Sequence, residues 1–389
     1  MKINSIEIHN FKTFQDVKIA NIPDLAVFIG KNGSGKSSFF DIFHFLHDCL
    51  IGNVKSSLAK RGGYREVISR GYDGEDIRFV ITFRQSQNKH IITYELSIGL
   101  NENNVAVVHN EVVRLQHCKK ATPLKVLNFF RGAGFAVSGE LNQYEDIKLT
   151  QVKELQLEFP DILAIKGLGQ FKNFETISSL RRIIEDWHVS DFRIDATRER
   201  NDVKYTERLT RTGDNLSVVT KFIHDNNPDL FNKIIKKIKC YVPEVENIEV
   251  QETQDGYIVL RFQDGKFQHP FSAQFVSDGA IKMLMYLILL HDPNRHALLC
   301  VEKPEHQLYP SLLAELAEEF QSYSCKNQVF ISTYSPYFLN NFSLNSIYCL
   351  DKKDGFTMIK RAIYIPFAKE LYESGDLLGS LWNQGALIK

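Results

Sequence analysis

Eight consecutive residues constrain this chain more than anything else in it: Gly30-Lys31-Asn32-Gly33-Ser34-Gly35-Lys36-Ser37. They fit G-x-x-x-x-G-K-[ST], a loop whose successive backbone N–H groups turn inward around phosphate oxygens. In that arrangement Lys36 reaches the β- and γ-phosphates of a nucleoside triphosphate, and the Ser37 hydroxyl sits on Mg²⁺. The flanks agree. Leu25-Ala26-Val27-Phe28-Ile29 reads as a buried strand entering the loop. Ser38 to Leu46 reads as an apolar helix leaving it, with its N-terminus toward the phosphates. An idle glycine turn is the bland alternative, and it does not explain the strand–loop–helix order.

Bulk properties narrow the setting. The chain has 389 residues, 43% hydrophobic and 24% charged, as expected of a globular protein of one large or two ordinary domains. Formal net charge is +0, so no global field draws it to nucleic acid or to an anionic membrane. The longest apolar run, Met283 to Leu290, is too short to cross a bilayer, and the first residues lack the apolar core of a signal peptide. Cys49, Cys118, Cys240, Cys300, Cys325 and Cys349 are scattered, with no C-x-x-C or Cys/His ligand spacing. Reduced cysteines in a cytoplasmic protein are the expectation.

Residues 1–100 read as β-rich around the loop, with alternating strands at 77–83 and 91–98. The stretch from about 120 to 240 reads as more helical and more charged. Phe231, Ile234, Ile235 and Ile238 form one helix face, opposite Lys233, Lys236, Lys237 and Lys239. An apolar helix (281–290), a strand (297–301), a helix (311–323) and a strand (329–332) follow. This alternation implies a mixed, mostly parallel sheet covered by helices, in an α/β chain. The expected organisation is an N-terminal lobe at 1–110, a mainly helical insertion at 111–265 and a C-terminal lobe at 266–389.

Two C-terminal segments carry chemistry. Leu298-Leu299-Cys300-Val301-Glu302 is a buried strand ending in a carboxylate, where a phosphate-loop NTPase places its second Mg²⁺ contact. Ser277-Asp278-Gly279 precedes the apolar helix. It is a good N-cap on structural grounds, and its hydroxyl and N–H groups could equally bind a γ-phosphate.

These motifs together resemble the RecF/SMC-like branch of the ABC-type ATPases, and specifically the stand-alone AAA family ATPases of bacterial antiphage modules of the overcoming-lysogenisation-defect and Septu types. Asn10-Phe11-Lys12-Thr13-Phe14 is similar to that group's N-F-[KR]-x-F. Ser277-Asp278-Gly279 resembles its signature. Leu298 to Pro310 resembles hhhh-[DE]-E-P-E-x-x-L-[HY]-P, and Phe330 to Pro336 resembles h-h-S-T-H-S-P. The resemblance implies a P-loop NTPase with ABC-ATPase head architecture, ATP and Mg²⁺ as ligands, and a head-to-tail homodimer or higher oligomer closed around ATP. It implies ATP contacts from Lys12, Phe14, Asn32, Gly33, Ser34, Gly35, Lys36, Ser37 and Ser38. Ser37 and Glu302 would hold the metal, and Ser277, Asp278 and Gly279 would cap ATP bound to the partner protomer. No segment identifies itself as the family's glutamine loop.

Two departures bear on activity. The family's catalytic carboxylate, directly after the Mg²⁺-binding acid, is here Lys303, and its switch histidine is Tyr334. An ammonium has no lone pair to accept the attacking water's proton. Slow or absent hydrolysis is therefore expected, with Glu305 or His306 as the fallback base. About forty residues follow the strand at 346–350, fewer than a Toprim domain needs, and no H-N-H-like cluster appears. The expected partner is a separately encoded effector such as an HNH or Toprim-like nuclease. The alternative is a RecF/SMC-like ATPase acting directly on DNA. Arg193, Arg198, Arg200, Lys204, Arg208 and Arg211, interleaved with acids, read as a solvated surface or as a nucleic-acid or partner face.

Overall fold

The structure, a computed structural model, describes residues 1–84, 90–117, 122–138, 151–197, 201–202, 206–265, 267 and 269–387. It divides into two compact units. The first comprises residues 1–187, 345–366 and 387–389, and the second 188–344 and 367–386. The expected boundaries at 110 and 265 both fall inside these units.

In the first unit an antiparallel sheet runs in the order β2 (Phe14–Ala20), β1 (Lys2–Phe11), β4 (Ile77–Arg84), β5 (His90–Leu100), β6 (Ala106–His117), β7 (Leu124–Phe130), β8 (Ala133–Ser138) and β9 (Gln151–Gln156). Strict inside–outside alternation along β4 explains the pairing, because one face is buried and the other half-exposed. The strand β3 (Leu25–Gly30) stands apart from this sheet. It pairs in parallel with β17 (Ile347–Lys353), which pairs antiparallel with β18 (Phe356–Arg361). The core is aromatic: Phe28 packs on Phe39 and stacks on Tyr348, and Phe11 meets Phe45 and Phe79.

The mainly helical reading of 111–265 needs correction. Strands β6 to β9 occupy 106–156, and β12 (Asn247–Glu252) and β13 (Tyr257–Gln263) lie at its far end. Val107, Val108, Val112 and Val113 are buried, and these β-branched residues suit a pleated surface. The charged character of the stretch from about 120 suggested helix, but an antiparallel sheet with one wet face accepts charged residues equally well. Within this stretch the helices lie between 164 and 241.

In the second unit β10 (Trp187–Ser190) neighbours β15 (Leu298–Glu302), which pairs in parallel with β16 (Gln328–Ser332). β11 (Asn201–Asp202), β13, β12 and the short β14 (Phe271–Ser272) form a small antiparallel sheet. The helix Asp278–His291 is buried almost all round, Lys282 included, as its mainly apolar sequence requires. The helix Pro228–Tyr241 buries Phe231, Ile234, Ile235 and Ile238 as expected. Its Lys237 is not merely solvated, however. It pairs with the buried Glu319, which also accepts from Tyr241 at 2.6 Å and faces His291 at 3.1 Å. Burial alone would raise the Glu319 pKa, but the His291, Lys237 and Tyr241 hydrogen bonds overcome it and hold the value at about 2. Among the described residues, no helix is long and apolar enough to cross a membrane.

Candidate nucleotide site

The first unit carries the phosphate loop. β3 is buried along Ala26 to Gly30 and delivers the loop at its end. Gly33 (φ 77°) and Gly35 (φ 102°) lie in the left-handed region that only glycine enters cheaply. The helix Lys36–Ile51 then starts at Gly35 with no side-chain cap on its N-terminus. Its first N–H groups therefore have no side-chain cap, and its dipole favours negative charge there. The Lys36 ammonium is held over the loop by the carbonyls of Gly30 (2.5 Å) and Lys31 (3.0 Å). Ser37, Asn32 and Gly33 are exposed, and Ser34 is buried beneath them. This donor set fits a polyphosphate: uncapped N–H groups, one ammonium and one accessible hydroxyl.

A brace below the loop was not anticipated. The Thr357 hydroxyl donates to the Ser34 carbonyl at 3.0 Å and meets the Thr13 hydroxyl at 2.7 Å, and the Thr357 N–H donates to the Thr13 carbonyl at 2.7 Å. A Cβ added at Gly35 would collide with Thr357 and press on Thr13. Thr13 lies within the N-F-K-x-F segment, but nothing local marks Thr357.

The N-F-K-x-F residues divide. Phe14 is fully buried and packs edge-on against Phe39, which gives it a place in the core. Lys12 (φ 52°) forms an ion pair with Asp41 at 2.6 Å. Asp41 is also gripped by Arg61, whose side chain is buried and which reaches Asp48 at 2.9 Å as well. Burial works against ionised Asp41, but hydrogen bonds from His44 and Arg61 and the charges of Arg61 and Lys12 hold its carboxyl far below the usual range. This network locks the phosphate-loop helix to the Arg61 turn.

The second unit carries the acid-ended strand. Glu302 is 7% exposed at the end of β15, with the Arg211 guanidinium 3.7 Å away. The next residue, Lys303, adopts φ 47°, unusual for a side-chain-bearing residue, and its N–H donates to the Ser332 carbonyl at 2.9 Å. Glu305 accepts from the Tyr334 N–H at 2.7 Å through Oε1, tying the strand-end loop to the switch segment. Its Oε2 is buried with no hydrogen-bond partner among the described residues. Burial raises the Tyr334 phenol pKa, and the charges of Glu302 and Glu305 raise it further, so Tyr334 stays a neutral donor. His306 and Lys303 line a cleft of about 460 Å³ with Glu302 and the buried Lys282.

The signature segment sits in the same unit. Ser277 Oγ accepts from the Ala280 N–H at 3.3 Å as the N-cap of the helix Asp278–His291, and Gln307 donates to Asp278 at 3.3 Å. Both readings of Ser277 remain compatible, because a capping hydroxyl keeps its proton for a further acceptor. Of the basic cluster, Arg198, Arg200 and Lys204 lie outside the described residues. Arg208 is engaged by the Asn294 carbonyl at 2.9 Å and Arg211 by Glu302. Among the described residues no His/Cys/Asp/Glu cluster by itself could hold a metal ion.

A braced phosphate loop, an acid-ended buried strand and a Ser-capped apolar helix define a P-loop NTPase of the ABC-ATPase head class. The solved SMC head bound to the C-winged helix domain of ScpA shares this fold. It superposes with a TM-score of 0.54 over 92% of this chain and 98% of that chain, at 12% identity. Residues 25–340 match the family model described as "AAA domain, putative AbiEii toxin, Type IV TA system", and the chain belongs to that family. It is similar to the chromosome partition protein Smc of Thermoplasma acidophilum, 24% identical over 54% of this chain. It is also similar to the DNA replication and repair protein RecF of Idiomarina loihiensis, 28% identical over 34% of this chain. The matches span 20% and 36% of those proteins' lengths. The chain thus has the ABC-ATPase head fold and is similar to parts of the Smc and RecF proteins.

Proposed function

We propose that this protein is an ATP-binding ABC-type subunit whose output is a conformation, closing as a dimer around ATP to regulate a separately encoded effector, a nuclease, in antiphage defence. The observation that carries the reading is Lys303, a cation at the position where the family's proton acceptor belongs. In this reading Asn32, Gly33, Ser34, Gly35, Lys36, Ser37 and Ser38 hold the triphosphate. Ser37 and Glu302 hold Mg²⁺, which when bound neutralises phosphate charge. Ser277, Asp278 and Gly279 cap the ATP of the partner protomer. Lys303 adds positive charge that favours retained ATP, and Tyr334 donates one neutral hydrogen bond where the family has a titratable imidazole. Glu305 Oε2 and the His306 ring are the remaining groups able to orient water. ATP acts by differential affinity for open and closed forms.

The test compares ATP turnover and ATP-dependent dimerisation of the natural chain with Lys303→Glu. A positioned base is worth ~10²–10⁴-fold, so the variant should gain at least about tenfold in turnover. Brisk hydrolysis by the natural chain would instead show that another group supplies the base.

A second reading, an ATPase acting directly on DNA, is supported by the Smc and RecF similarity. It requires duplex or single-stranded DNA binding by the isolated protein that falls steeply with salt.

A further inference from the structure

One member of the basic cluster, Arg211, reaches the acid-ended strand from a turn at 208–215 that its own side chains build. The Thr212 hydroxyl donates to Asp214 Oδ1 at 2.9 Å, and the Thr210 hydroxyl donates to the same oxygen. The Thr210 N–H donates to Asn215 Oδ1, and Asn215 Nδ2 donates to the Arg208 carbonyl, each at 2.9 Å. The turn is also fixed from outside. The Arg211 and Thr212 carbonyls accept from the N–H groups of Asp191 and Arg193 at 2.9 and 3.0 Å. Gly213 (φ 75°) lets the backbone lie against the helix Asp278–His291, because a Cβ there would collide with Met285 and press on Phe192.

A turn so restrained limits where Arg211 can point. Its guanidinium lies 3.7 Å from Glu302 Oε1, and the residues that hold the turn, Asp191 and Arg193, line the same cleft as Glu302. An exposed ion pair contributes little and needs no rigid support. This pair is unequal: the Glu302 carboxylate is buried, while the arginine is 39% exposed. Arg211 therefore offsets the cost of burying that charge. Mg²⁺ seeks carboxylate oxygen, so at Glu302 it meets the guanidinium as a competing cation.

We propose that Arg211 is a positioning residue that regulates the metal site: it neutralises Glu302 and holds it, so that the carboxylate takes up Mg²⁺ at the expense of this ion pair. The inference rests on the reading of Glu302 as a metal ligand and adds the group that sets how much Mg²⁺ the site requires.

The experiment measures the affinity of the full chain for a fluorescent, non-hydrolysable ATP analogue, first in EDTA and then across a Mg²⁺ titration. The natural chain is compared with Arg211→Gln and Arg211→Lys, with melting temperature as a control. In Arg211→Gln the Mg²⁺ midpoint should fall at least about threefold, while affinity in EDTA stays within about twofold. Arg211→Lys keeps the charge and should restore the midpoint to within about twofold of the natural value. A merely structural arginine would shift melting temperature and leave the midpoint alone. If Arg211→Gln melts early, Asp214→Ala, which loosens the turn with Arg211 in place, should lower the midpoint by a smaller amount. A midpoint unmoved or raised in well-folded variants would overturn the proposal. So would an equal fall in Arg211→Lys, or a parallel loss of affinity in EDTA, which would make Arg211 a phosphate contact. Each of these outcomes leaves the ATP reading standing. Absence of nucleotide binding, or binding indifferent to Mg²⁺ in the natural chain, would overturn that reading and this inference with it.

Discussion

Thr357 and Ser34 are joined by a 3.0 Å hydrogen bond across 323 positions of sequence, from the Thr357 hydroxyl to the carbonyl at the floor of the phosphate loop. A loop that binds anions through backbone N–H groups needs its peptide planes held in one orientation. Glycine cannot supply that rigidity, because it loses more conformational freedom on ordering than any other residue. Thr357, buried and bonded also to Thr13, supplies it from outside the loop.

Thr357→Val keeps the shape and removes the donor, leaving the Ser34 carbonyl without this hydroxyl. The cost should be about 1–2 kcal/mol of stability and roughly a tenfold loss of nucleotide affinity. Chemical denaturation and titration with a fluorescent ATP analogue measure both. Gly35→Ala should do worse, because it adds a left-handed strain and a collision with Thr357 to the same defect.

Glu305 has one oxygen on the Tyr334 backbone and the other buried without a partner. If residual turnover exists, Glu305→Gln should lower it at least about tenfold while leaving ATP affinity within about twofold, because the amide oxygen can still accept from Tyr334. Steady-state turnover beside equilibrium ATP binding separates the two effects. Unchanged turnover would remove Glu305 from the site.

Arg61 bridges Asp41 and Asp48 with its side chain buried. Arg61→Ala should cost about 3 kcal/mol, because it strands two partly buried carboxylates, with Lys12, Lys60 and His44 as partial substitutes. In a double-mutant cycle the loss should shrink by at least about 1 kcal/mol on an Asp41→Asn background. Additive losses would show that the pair does not couple.

Glu111 is fully buried and accepts from the N–H groups of Ala164 and Ile165 and from the Tyr94 hydroxyl at 3.1 Å. Burial outweighs these hydrogen bonds and pushes its pKa up to about 7. The folded state therefore binds a proton that the unfolded chain releases near its ordinary value, and stability must fall as pH rises between about 4.5 and 7. The swing is on the order of 3 kcal/mol at most. Glu111→Gln should flatten that part of the profile, which urea denaturation across the pH range would show. An unchanged slope would assign the dependence to other groups.

Some of this molecule was written in contiguous sequence and some was not. The phosphate loop, the alternation of β4, the apolar helix Asp278–His291 and the acid-ended β15 were legible because each is local. Glycine spacing, period-two alternation and runs of apolar residues act within a few residues of backbone. The strands of 106–156 were not legible, since charged residues on the wet face of an antiparallel sheet look like a helix surface. Phe14 shows the same limit: its motif suggested ligand contact, while its packing against Phe39 puts it in the core.

Sequence alone determined the strand, glycine-rich loop and helix around Lys36 and the acid-ended strand that puts Lys303 directly after Glu302. Tertiary structure alone decided that Thr357 braces the cradle, that Asp41 joins Lys12 to Arg61, and that Glu305 reaches the Tyr334 backbone. Each of these joins residues far apart in the chain, and only burial, which makes an unpaired polar group costly, selects such pairs.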